Sequence, residues 1–204
     1  MNTNYLNEYA SLFERLLSIS HFLAYSTNAV ERSISNCKFF RDIEKDGVGF
    51  PPIVVDVKLV REVFLDQSIN LRAVPTYKQS MWAAESYLRI QNETGLTFEA
   101  IFLYLPIDKM YEYFPLYHEM DFSQIINEFK KLYETQSILK IVTEKYGYSL
   151  SDISDKTGIS YETLFSFKKR RRDIKKANAD IVVKLASVLR IRIETLIEFS
   201  FKNC

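Results

Sequence analysis

The stretch from Ser149 to Phe167 constrains this chain more than any other. Ser149 precedes an apolar-periodic run with Asp152 three residues on, the pattern of a capped helix start. A short helix over 150–157 turns Ile153 inward. Gly158 follows, and a sharp turn between helices favours a residue that takes a left-handed backbone without Cβ strain. Ile159 then tucks under the turn. Ser160 caps the next helix, whose Leu164 and Phe167 share one side. That geometry sends Glu162, Phe165, Ser166 and Lys169 outward, with Tyr161 on the flank near the helix start.

Two further helices are expected downstream. Residues 178–189 carry Ile181, Val182, Leu185, Ala186 and Leu189 on one face, and residues 192–199 add Ile193, Leu196 and Ile197. With a helix beginning near Ile138, these make a small five-helix core. The segment resembles the phage-repressor-type (Xre/Cro-like) helix-turn-helix family. The resemblance is carried by Ser149, Ile153-Ser154, Thr157-Gly158-Ile159-Ser160, Thr163-Leu164, Lys184-Leu185-Ala186, Leu189 and Ile193-Glu194-Thr195-Leu196, and covers the C-terminal third of the chain. It implies a five-helix domain that reads the major groove of double-stranded DNA, often as a dimer. The chain departs from the pattern twice. Leu150 stands where the family usually has a polar residue. Lys168-Lys169-Arg170 stands where the family often has an acidic residue, any residue and a glycine.

The second signal follows directly. From Lys168 to Lys176, seven of nine residues are basic, interrupted by Asp173 and Ile174. Beside a recognition helix such cations hold phosphates and set register rather than read sequence. The expected phosphate contacts are Ser160, Lys168, Lys169, Arg170, Arg171, Arg172, Lys175 and Lys176. The expected base contacts are Tyr161, Glu162, Phe165 and Ser166: Glu162 can accept from cytosine N4, and Phe165 can meet a thymine methyl. Neutralising about four phosphates per subunit gives a log K versus log salt slope near about −3.6.

Charge divides the chain. Residues 137–204 hold 14 Lys+Arg and 8 Asp+Glu, a net +6; residues 1–136 hold 13 and 18, a net −5. The expected layout is therefore an acidic, aromatic-rich helical domain over 1–136, for dimerisation or partner binding, and a helix-turn-helix domain over 137–204. Only 5 Gly and 5 Pro in 204 residues leave few turns, which favours a mainly α fold. In the first part, helices are expected over 4–20, 29–42, 79–92, 98–105 and 107–120. Another, capped by Asp121 or Ser123, runs through Thr135. Asp46 to Pro52 is the clearest breaker, and Ile53 to Val57 leaves room for one short strand or hairpin. No Gly/Ser linker separates the parts, so a fairly rigid junction is expected.

The first part also contains an echo. Thr94 to Tyr104 matches Thr157 to Phe167 with four identities and mostly conservative changes, and Ile90 matches Ile153. It reads either as a degenerate second helix-turn-helix or as the common look of a capped helix after a glycine turn. No basic run follows it; Asp108, Glu112, Glu119 and Asp121 do, so such a unit would bind protein and not DNA. The aromatic run from Met110 to Tyr117 reads as core, with a dimer or partner surface as its rival.

No enzyme signature stands out. His21 and His118 are far apart and lack Cys or acidic companions at metal spacing, and Asp46-Gly47-Val48-Gly49 is too short for a phosphate loop. No catalytic residue, metal or cofactor is expected. No run reaches the ~18 apolar residues of a membrane span. Met1-Asn2-Thr3-Asn4 lacks a signal peptide's basic start, and Cys37 and Cys204 have no paired spacing. A cytoplasmic, homodimeric DNA-binding transcriptional regulator is the expectation. Its rival is an interaction protein of antitoxin or anti-CRISPR type, acting through residues 1–136 and using the helix-turn-helix for autoregulation. A small-ligand sensor is the third class.

Overall fold

The computed structural model describes residues 9–14, 16, 17, 27–46 and 76–200. All regular structure among them is helical. The short strand expected over 53–57 and residue His21 lie outside the described residues. The first expected helix is described at 9–14, 16 and 17, where it is helical and buries Phe13, Leu16 and Leu17.

The helix expected over 29–42 is two helices, α1 (Thr27–Asn36) and α2 (Lys38–Asp46). They part at Cys37, whose N–H is shared between the carbonyls of Ser33 and Ile34. Helix α3 (Tyr77–Thr94) starts on a reciprocal cap: Thr76 Oγ1 accepts from the Gln79 N–H, and Gln79 Oε1 accepts from the Thr76 N–H. Helices α4 (Phe98–Tyr104), α5 (Ile107–Tyr117) and α6 (Ser123–Thr135) complete the first part. The second part holds α7 (Ile138–Tyr146), α8 (Leu150–Thr157), α9 (Tyr161–Lys168), a 3₁₀ turn (Ile174–Lys176), α10 (Ala179–Leu189) and α11 (Ile193–Leu196).

Helix α4 is the hub. Six of its seven residues are buried. It packs against α1, α2, α3, α6, α7 and α11. Around it, Phe13, Phe40, Tyr87, Phe98 and Phe102 form a ring cluster. The Phe13–Phe40 and Tyr87–Phe102 centroids are both 5.0 Å apart, and Phe40 meets Phe98 edge-on at 5.4 Å. Each large apolar side chain there contributes roughly 1.5–3 kcal/mol by leaving water, and the edge contacts add to that.

The run from Met110 to Tyr117 corrects the sequence reading. Met110 is buried, but Tyr111, Tyr113, Phe114 and Tyr117 are half-buried, and Leu116 is 63% exposed. Helix α5 meets the core mainly through Ile107 and Met110, so its C-terminal half lies at the boundary.

The acidic and basic parts share one apolar cluster that runs from Tyr9 to Leu196. Two residues, Gln136 and Ser137, connect α6 to α7, and Ser137 Oγ donates to the Phe167 carbonyl at 3.0 Å. Polar groups cross the same boundary. The Arg192 guanidinium grips both carboxylate oxygens of buried Glu44, at 2.9 and 3.0 Å, and reaches Glu99. Lys145 meets buried Glu31 at 2.7 Å. Thr97 and Thr195 pair their hydroxyls at 2.9 Å, and the Tyr104 hydroxyl donates to Glu198. Charges this deeply placed need their partners, because desolvation is costly unless it is compensated.

Candidate nucleic-acid interface

The turn between α8 and α9 is built from short polar side chains. Ser149 Oγ accepts from the Asp152 N–H at 3.0 Å and starts α8. At the other end the Thr157 hydroxyl donates to the Ile153 carbonyl at 2.6 Å and accepts from the Ile159 N–H at 3.2 Å. Gly158 sits between them at φ 70°, ψ 10°. The Ser154 hydroxyl donates to the Ile159 carbonyl at 2.7 Å, and Ile159 is buried under the turn. Ser160 Oγ then caps α9 by accepting from the Thr163 N–H at 3.3 Å. One orphan donor at each helix start thus finds a local side-chain acceptor.

Leu164 and Phe167 anchor α9 from inside, as the spacing predicts. Outside, Tyr161 is 53% exposed, Glu162 is exposed, and Phe165 and Ser166 are half-exposed. The rings of Tyr161 and Phe165 stack one helical turn apart, 6.3 Å between centroids and 14° between planes. Lys169 Nζ and the Arg171 guanidinium lie over the Phe165 ring at 5.7 and 5.6 Å. The apolar part of this face is therefore edged by two cations held close to it.

The basic loop separates into cations with internal work and cations without. Arg170 takes a left-handed backbone, φ 54°, at the place where the resembled family often has glycine. A side chain there costs roughly 1–2 kcal/mol. Its Nη1 donates to the carbonyls of Tyr133, Glu134 and Gln136 at 2.7–2.9 Å and so closes the C-terminal end of α6. Lys168 Nζ donates to Thr143 Oγ1 at 3.1 Å. Lys175 Nζ lies 3.4 Å from the Tyr133 hydroxyl and 3.9 Å from Glu198. Lys169, Arg171, Arg172 and Lys176 remain, all exposed and without a hydrogen bond or ion pair from the side chain among the described residues. Asp173 caps the 3₁₀ turn through the Lys175 N–H, and buried Ile174 pins the loop to the body.

The remaining helices hold this face in place. Asn178 caps α10 through the Asp180 N–H, and Val182, Leu185, Ala186 and Leu189 are buried as expected. Ile193 is 41% exposed instead of joining the apolar face; its neighbour Thr195 turns inward to meet Thr97.

No group of three or more His, Cys, Asp or Glu side chains could hold a metal ion among the described residues. No helix there is long and apolar enough to cross a membrane. His118 stacks on Phe114 at 4.3 Å. Comparison with known proteins found no matching family model, no matching curated protein and no matching solved structure.

Sequence reasoning missed the internal duties of Lys168 and Arg170, and the buried acids that hold the parts together. Glu198 left one trace, a lone acid in the apolar run Leu196-Ile197-Glu198-Phe199. The departure at Lys168-Lys169-Arg170 left another, since a residue replacing glycine at a helix end must find compensation.

Proposed function

We propose that this chain is a sequence-specific regulator that binds double-stranded DNA through α9 and the loop after it, as a homodimer. The observation that carries the reading is the outward α9 face with Lys169 and Arg171 over its Phe165 ring, followed directly by a loop whose Arg172 and Lys176 are exposed and without a side-chain hydrogen bond or ion pair among the described residues. Glu162, Tyr161, Phe165 and Ser166 supply donors, acceptors and apolar contact for base edges. Lys169, Arg171, Arg172 and Lys176 supply phosphate contacts, with Lys175 beside them. Ser160 stands at the start of the same helix. Its capped, glycine-turned helix pair is what the helix-turn-helix resemblance of the sequence leads one to expect, and dimerisation would place two such faces one DNA turn apart.

The test is selection of bound duplexes from a random pool. The wild-type chain enriches a sequence; Glu162→Ala changes which bases are enriched; neutralising Lys169, Arg171, Arg172 and Lys176 together abolishes recovery. Enrichment of no sequence by the folded wild-type chain contradicts the proposal.

A second reading rests on Leu116 and Met120, 63% and 53% exposed around the end of α5. Two large apolar side chains in water there favour a protein partner for the acidic part, as an antitoxin or an anti-CRISPR-type inhibitor would have. Capture of such a partner by wild type, and its loss in a Leu116→Ser, Met120→Ser variant, would support that reading.

A further inference from the structure

A cleft of about 420 Å³ opens at the root of the basic loop. That size lies within the range of small-molecule sites. Its walls come from four places: Tyr133 on α6, Ser137 and Ile138 at the start of α7, Arg172 and Lys175 on the loop, and Glu198 after α11.

The charges around the cleft settle the sign of what fits it. Arg170 also lines it but is spent on the carbonyls of Tyr133, Glu134 and Gln136 at the end of α6. Asp173 is spent on the Lys175 N–H. Glu198 is buried and accepts from the Tyr104 hydroxyl, with Lys175 at 3.9 Å. The Arg172 guanidinium has no partner among the described residues. Ser137 turns its hydroxyl to the Phe167 carbonyl, so no side chain caps the first amides of α7 beside it. The Tyr133 hydroxyl is neutral at ordinary pH, pushed up to about 12 by burial and by its hydrogen bond to Glu198, and it accepts from Lys175 at 3.4 Å. The one side-chain charge at the cleft without a hydrogen bond or ion pair among the described residues is thus the Arg172 guanidinium, and the Lys175 ammonium beside it is held only at 3.4 Å by Tyr133 and at 3.9 Å by Glu198.

We propose that this cleft binds a small molecule through a phosphate or diphosphate group, held between Arg172 and Lys175. Occupancy would draw Arg172 and Lys175 inward. If the loop grips DNA as proposed above, the ligand and a DNA phosphate compete for the same two cations, and each weakens the other equally.

The test needs no DNA, so its outcome is independent of the DNA reading. Pyrophosphate is titrated into the full chain at constant ionic strength and followed by calorimetry. One saturable site per chain is expected. Arg172→Ala should weaken it by about tenfold or more, the loss of a charge-assisted contact. Lys156→Ala, an exposed cation outside the cleft, should leave it unchanged, and both variants should keep the wild-type circular dichroism. Absence of saturable binding at millimolar pyrophosphate overturns the proposal. So does an equal loss in Lys156→Ala, which would mean diffuse attraction to a basic surface.

Discussion

Gly95 and Gly158 sit at φ 69°, ψ 8° and φ 70°, ψ 10°, each between a helix ending in Thr and a helix capped by Thr or Ser. The match extends to hydrogen bonds. Thr94 donates to the Ile90 carbonyl at 2.7 Å and accepts from the Leu96 N–H at 3.3 Å. Thr157 does the same with Ile153 and Ile159 at 2.6 and 3.2 Å. Thr97 caps α4 through Ala100 as Ser160 caps α9 through Thr163. The outcomes are opposite. Phe102 is 2% exposed, while its counterpart Phe165 is half-exposed. Glu99 takes the Arg192 N–H and guanidinium, while Glu162 stands in solvent. The turn is a local device set by a threonine, a glycine and a cap. Whether its second helix faces water is decided by positions such as Leu103 against Ser166, and by what the rest of the chain lays over it. The first unit's outward face was expected to meet a protein partner; α1, α2 and α11 of the same chain lie against α4 instead.

The sharpest way to break this comparison is to truncate the matching rings. Phe102→Ala should lower unfolding free energy by about 3–5 kcal/mol, while Phe165→Ala should cost less than about 1 kcal/mol. Chemical denaturation measures both, and similar losses would mean the two helices are equally buried. Next in size is the clamp on the buried unit. Arg192→Ala leaves Glu44 buried without its partner and should cost about 3 kcal/mol. Glu162→Ala, at the position matching Glu99, should leave the melting temperature within error of wild type. Gly158→Ala comes third, at roughly 1 kcal/mol. A Cβ there meets nothing within 4 Å, so backbone strain alone is being measured. A loss several times larger would show crowding at the turn.

The smallest effect concerns pH. Burial holds Glu31 above its ordinary 4.5, against the pull of Lys145. The folded chain then binds that proton more tightly than the unfolded chain. Stability from this group is greatest at low pH and declines as pH rises from 4.5 through the folded pKa. Glu31→Gln should flatten that part of the stability curve, read from melting temperatures across the acid range. An unchanged slope would place the titration elsewhere.

Much of the second unit is legible in sequence, because caps, a glycine and inward apolar residues act within one or two turns. Ile153, Leu164 and Phe167 are inside and Tyr161 and Glu162 outside, as periodicity requires. The echo at Thr94 is legible for the same reason. The burial of α4 is not, because its cover comes from Phe13 and Phe40, far back in the chain. Arg192 and Glu44 are 148 residues apart, and local pattern carries no sign of their pairing. The basic run gives the loop's charge but not its division of labour. That division depends on Arg170 bending back to α6 and Lys168 to α7.

The most direct test of the central claim, that the exposed unit grips DNA with its uncommitted cations, is the salt dependence of binding. Affinity for a selected duplex is measured by fluorescence anisotropy from low to moderate salt. Four free cations per subunit predict a slope of log K on log salt near about −3.6 per subunit, and removing Arg171 and Arg172 should bring it near about −1.8. A flat response, or a slope unchanged in the double variant, would contradict the account.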